Sequence, residues 1–88
     1  MTIEQAKNLT FGQLIYDSTV QNADGTPARY KVNGKVKTWK RDLNRIQVPL
    51  KRGLYEYDYL TENNIEYFHL TEEEAEGGDK LYNPYITE

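Results

Sequence analysis

Trp39 is the one tryptophan in the sequence, and it stands among cations. Lys35, Lys37, Lys40, Arg41 and Arg45 all lie close to it along the chain, and Lys31 extends the set. An indole held in a positive field stacks a nucleobase while the neighbouring cations neutralise phosphates, the chemistry of single-strand binding. Lys31, Lys35, Lys37, Trp39, Lys40, Arg41 and Arg45 are therefore the candidate nucleic-acid-binding residues. A second reading makes Trp39 the largest core residue, with lysine stems covering its edge. The sequence leaves both readings open.

No other group of residues assembles a reaction. Catalysis needs a nucleophile, a base and a stabiliser that converge. There is no cysteine, Ser18 is the only serine, and His69 is the only histidine. Disulfides, thiolate nucleophiles and cysteine zinc sites are excluded. The run Glu72-Glu73-Glu74 with Glu76 lacks the ligand spacing of a calcium loop and reads as a solvated charge run. The glycines follow no phosphate-loop pattern. The expectation is a protein that is not an enzyme and carries no metal or cofactor.

The charge is segregated. The 88 residues sum to −3, yet nine of the eleven Lys and Arg lie between Arg29 and Arg52, where Asp42 is the only acid. From Gly53 onward ten acids stand against Lys80 alone. Such asymmetry points to an anionic partner or to an acidic segment with a task. It is equally accounted for if the two blocks neutralise each other within one molecule.

The elements that must position these residues are short. Thr2-Ile-Glu-Gln5 has capping-box spacing, and Ile3, Ala6 and Leu9 follow on one helical face, which predicts a helix over 3–8. Gln13 to Val20 reads as a strand and Asn22 to Pro27 as a turn. Asn33-Gly34 between two alternating runs predicts a β-hairpin. A two-residue turn would pair Val32 with Lys35. A bulged loop pairs Val32 with Val36 and Tyr30 with Thr38, and burial of the valines favours it. Lys31, Lys35, Lys37 and Trp39 then point outward, and pairing of Thr38 near Val48 adds Gln47 and Arg45 to that face.

Arg41 to Asn44 reads as a second tight connection. Ile46, Val48 and Leu50 alternate onto one face of the next strand, with Pro49 marking an edge or strand end. Tyr55, Tyr57 and Tyr59 alternate with Glu56 and Asp58 in the strand after it. Thr61 to Tyr67 opens with an N-cap residue and reads as one helical or 3-10 turn, and Phe68 to Thr71 as a short closing strand. The expected core is Phe11, Leu14, Tyr16, Val32, Val36, Ile46, Val48, Leu50, Ile65 and Phe68. Residues 72–88 read as an acidic tail, with Leu81-Tyr-Asn-Pro-Tyr-Ile86 an apolar segment able to dock on the body or on a partner.

Short antiparallel strands with one helical turn before the last predict a mainly β fold, a small closed or half-closed barrel over residues 1–71. Leu9-Thr-Phe-Gly-Gln-Leu-Ile-Tyr16 resembles the opening strand of SH3-like barrels. Tyr59-Leu-Thr-Glu-Asn-Asn-Ile-Glu-Tyr-Phe-His-Leu70 resembles their closing 3-10 turn and last strand. The style of the whole chain resembles small phage or prophage proteins. The SH3-like fold hosts peptide binding, nucleic-acid binding and structural adaptors, so it does not assign a function. The dense acidic loop and paired aromatic groove of proline-peptide binders are missing, and that activity is not carried over.

Two functions are consistent with these residues. One is a nucleic-acid-binding module acting through the basic strands. The other is a protein-interaction or regulatory module, in which the acidic tail presents phosphate-like charge and the tyrosine-rich strand supplies contact area. No apolar run approaches the ~18 residues of a membrane span, and no signal segment opens the chain. The expectation is a soluble cytoplasmic domain with no membrane partner.

Overall fold

The computed structural model describes residues 1–80, with side chains as far as Glu76. Helix α1 spans Ile3–Lys7. The Thr2 hydroxyl accepts from the Gln5 N–H at 3.1 Å, and the Gln5 side chain accepts from the Thr2 N–H at 2.9 Å, so the capping box is complete. A five-residue helix does not persist in water by itself. This one is held because Ala6 is fully buried and Ile3 and Leu9 pack on the core.

Six strands form one antiparallel sheet: β1 Leu14–Gln21, β2 Pro27–Val32, β3 Lys37–Trp39, β4 Asp42–Arg52, β5 Glu56–Thr61 and β6 Phe68–His69. The order is β3-β4-β2-β1-β6, with β5 also paired to β4. Gln47 pairs with Lys37 on one side and Thr61 on the other, and Lys51 pairs with Lys31 and Tyr57. Strands β2 and β3 therefore share one edge of β4, and β5 takes the opposite edge. Among the described residues no pairing closes the sheet from β5 to β6. The molecule is mainly β and its sheet is open. A 3-10 turn at Ile65–Tyr67 leads into β6.

The hairpin lies elsewhere than at Asn33-Gly34. Strands β2 and β3 do not pair with each other; both run antiparallel to β4, and the tight turn is Lys40-Arg41, between paired Trp39 and Asp42. Val32 faces Leu50 rather than Val36, and Thr38 faces Ile46 rather than Tyr30 or Val48. Pro49 is the physical reason for the break at Asn33-Gly34. The Asn33 N–H donates to the Pro49 carbonyl at 2.8 Å, but proline has no N–H with which to return a bond. The ladder on that edge stops there and resumes at Lys37. Gly34 passes close to the proline ring, where a Cβ would lie 2.7 Å from Pro49 Cγ.

Strand β1 is turned over relative to expectation. Ile15 is fully buried, while Leu14 is 40% exposed, Tyr16 is half-buried and Phe11 is 73% exposed. Leu14 and Ile15 are both apolar, so alternation alone does not choose the face, and a one-residue slip exchanges every side chain. Pairing decides: Ile15 lies opposite Tyr30, whose ring meets Phe68 edge-on at 5.6 Å. Asp17 follows Ile15 inward, and its carboxylate accepts from the Thr19 N–H and hydroxyl at 2.8 and 2.7 Å. Val32, Ile46, Val48, Leu50 and Phe68 are buried as expected, joined by Ala28 and Leu60; Val36 and Ile65 pack at the margin.

The acidic segment contains a helix, α2, Glu72–Lys80, which contacts β1, β2 and β6. The Thr71 hydroxyl accepts from the Glu74 N–H at 3.2 Å, and Ala75 is fully buried. The expected docking segment at 81–86 lies outside the described residues.

Candidate nucleic-acid interface

The face of the sheet turned away from the core collects the cations. Two rungs cross it. One runs Leu14, Lys31, Lys51, Tyr57 and the other Lys37, Gln47, Thr61, each residue paired to the next. Side chains at paired positions share a face, so the alternation that sends Ile46, Val48, Leu50 and Leu60 inward sends these outward. Arg29, two residues before Lys31, joins them, as do Tyr59 and Pro49, which pair with each other. From Arg45 to Lys51 this face runs about 20 Å at ~3.3 Å per residue.

At one end stands Trp39. The Arg45 guanidinium carbon lies 4.1 Å from its ring centroid, and Lys37 Nζ lies 5.0 Å away. Both distances are within the reach of cation–π attraction. Trp39 is half-buried and belongs to neither the buried cluster nor the residues packed against it. The core reading of this residue is thereby set aside. The β3 register shifts against β4 between Thr38 and Trp39; on the opposite, β5 edge of β4 the Glu62 carboxylate accepts from the Ile46 N–H at 3.1 Å. This hydrogen bond, with Arg45 nearby, holds the Glu62 carboxyl below the usual carboxylate range. Lys40 and Arg41 project from the turn and Lys35 from the break in the edge, all exposed. They flank the Trp39 cradle without joining it.

At the other end Arg29, Lys31 and Lys51 line a hollow of about 360 Å³ with Leu14, Gly53 and Leu54. Lys51 Nζ lies 5.8 Å from the Tyr57 ring centroid. Among the described residues Arg29, Lys31, Lys37 and Lys51 form no ion pair; the pair of Lys7 with Glu4 at 3.6 Å lies within α1. Arg29 also borders a second hollow, of about 410 Å³, with Arg52 and Glu72. Arg52 is turned toward the inner face, donating to the Asn22 amide oxygen at 3.2 Å.

The sequence reading thus placed Lys31, Lys37, Trp39 and Arg45 together on one face, and missed Arg29, Lys51, Tyr57 and Tyr59. The signal for the missed residues was parity. Once Leu50 and Leu60 point inward, Lys51, Tyr57 and Tyr59 must point outward.

His69 lies opposite Tyr16 at the other edge of the sheet. Burial chiefly, with the Met1 ammonium, lowers its pKa from 6.5, against the Glu74 and Asp17 carboxylates. The Met1 ammonium donates to the Phe68 and Ile65 carbonyls at 2.6 and 3.3 Å. Among the described residues no three His, Cys, Asp or Glu side chains gather to hold a metal ion, and no helix is long and apolar enough to cross a membrane. No known family model, curated protein or solved structure matches the chain.

Proposed function

We propose that this protein is a non-catalytic cytoplasmic binding module that takes single-stranded nucleic acid along the outer face of its sheet. The observation that supports this most is the Trp39 cradle of Lys37 and Arg45, continued along the same face by Lys31, Arg29 and Lys51, which form no ion pair among the described residues. Phosphates neutralise the cations, and bases stack on Trp39 and on the exposed rings of Tyr57 and Tyr59. A base that stacks on Trp39 exchanges places with one of its two cations, which then meets a phosphate. We read the architecture as SH3-like, a half-closed barrel of the kind found in small phage proteins. The pairing of β1 with both β2 and the last strand, and the 3-10 turn before that strand, support this reading.

Titrating the protein with a short oligothymidylate at low salt, read by Trp39 emission, tests the function. The expected result is saturable binding whose affinity falls linearly in log–log form with salt. Absence of salt-dependent binding overturns it. A second reading, a protein-interaction module, draws on Tyr55 in the turn before β5 and on Tyr57 and Tyr59 in β5, which are 87%, 64% and 50% exposed. Under that reading Lys37→Glu leaves partner capture intact and Tyr57→Ala abolishes it.

A further inference from the structure

Lys31 and Lys51 are direct cross-strand partners, with Arg29 two residues along the same strand face. Like charges placed opposite each other in a sheet cost stability, and among the described residues neither lysine forms an ion pair with a carboxylate. The same three cations line the hollow described above, whose other walls include Leu14 and Leu54. No acid lines it. Gly53, at φ +67°, stands at the turn beside it, and a Cβ there would meet nothing within 4 Å, so the mouth is open. Three cations around one apolar-walled hollow exceed what a single internal phosphodiester, with one negative charge, can neutralise.

We infer that this hollow binds a terminal phosphate monoester, so that the sheet holds the phosphorylated end of the strand it carries. This rests on the nucleic-acid reading above and adds an end-specific subsite to it. A monoester carries up to two negative charges and three acceptor oxygens, and its second proton is lost near pH ~6. Arg29 offers a planar fork of donors to two of those oxygens, and Lys31 and Lys51 supply point charges beside it. The Trp39 end, some 20 Å along the same face, then receives bases further into the strand.

The test uses the full chain and internally labelled oligothymidylates ending in phosphate at the 5′ end, at the 3′ end, or in hydroxyl at both. Fluorescence anisotropy at pH 7.5 is expected to show one phosphorylated form binding roughly tenfold more tightly than the hydroxyl form. Lys31→Gln and Lys51→Gln each erase that ratio, whereas Lys37→Gln weakens all three oligonucleotides and preserves it. Below pH ~6 the ratio shrinks as the monoester takes up its second proton. Equal affinity for all three oligonucleotides overturns the phosphate subsite and leaves the general binding reading standing. A ratio that survives both Lys31→Gln and Lys51→Gln also overturns the subsite. Failure of every oligonucleotide to bind overturns both readings.

Discussion

Gly34 faces Pro49 so closely that a Cβ on the glycine would come within 2.7 Å of the proline Cγ. Gly34 lies in the break between β2 and β3, opposite Pro49 of β4. One has no N–H to give, and the other has no side chain to obstruct the ring. The tight fit makes Gly34→Ala costly although Gly34 is only partly buried. We expect a loss of about 1–3 kcal/mol by urea denaturation, as for other overpacked sites. Because the strain lies between these two residues, Pro49→Ala in the same chain should recover part of the loss, and the double-mutant cycle should show coupling.

Trp39 stands outside the core, so its removal should separate binding from folding. Trp39→Ala is expected to weaken oligonucleotide binding by about 1–3 kcal/mol. Its effect on stability should stay near ~1 kcal/mol, the scale of two exposed cation–π contacts. Calorimetric titration and denaturation of the same variant check both numbers. Unfolding of the variant, with charge reversal at Lys37 and Arg45 leaving binding unchanged, would remove Trp39 from the site.

Each cation on the outer face should appear in the salt dependence. Neutralising Lys31, Lys37 or Lys51 to Gln should reduce the slope of log affinity against log salt by about 0.7 for a single strand. Arg52→Gln serves as the contrast. Its guanidinium is directed to Asn22 on the inner side, and its slope should match that of the unaltered protein.

The strand-face assignment of β1 has a direct stability signature. Ile15→Ala should cost about 2–5 kcal/mol and Val48→Ala about 1–3 kcal/mol, because both side chains are fully buried. Phe11→Ala should stay within roughly 0.5 kcal/mol. The reverse order in thermal or urea unfolding would restore the opposite register.

His69 gives stability a definite pH sign. Its folded pKa lies below 6.5, chiefly through burial, so the unfolded chain binds its proton more readily. The stabilisation is complete above pH 6.5 and is lost as pH falls from there toward the lowered folded value. His69→Gln should flatten the unfolding midpoint over that interval. The Met1 ammonium, Glu74 and Asp17 act on the ring electrostatically, and burial lowers the pKa of the Met1 ammonium itself from 8.0. A profile that rises on acidification would contradict the assignment.

Much of this architecture could be read from local chemistry. Thr2 and Gln5 announced the first helix, and Ile46, Val48 and Leu50 announced the buried side of β4. The 3-10 turn after Thr61 was equally plain. What failed was long-range. Asn33-Gly34 carries a hairpin's residue types, but the constraint that shapes it sits on Pro49, in a different strand. Leu14 and Ile15 are equally apolar, and only the contact of Ile15's partner Tyr30 with Phe68 chooses between them. The helix at Glu72 was missed for another reason: Thr71, spaced three before Glu74, is an N-cap signal that the density of charge concealed. In the candidate site, the residues near Trp39 could be found from spacing, whereas Arg29, Lys51 and Tyr57 needed the pairing of three strands.

The turn at Lys40-Arg41 has a kinetic consequence. Trp39 and Asp42 are nearly adjacent in sequence, so joining them costs little chain entropy, and pairing can then proceed along β4 toward Val32 and Leu50. The seam between Tyr16 and His69 joins distant parts of the chain. Substitutions near the turn, such as Thr38→Ala, should slow folding, while those at the seam, such as Phe68→Leu, should mainly hasten unfolding. The half of the sheet that presents the indole and its cations is then the half that nucleates, and the edge that seals the molecule is the first to open.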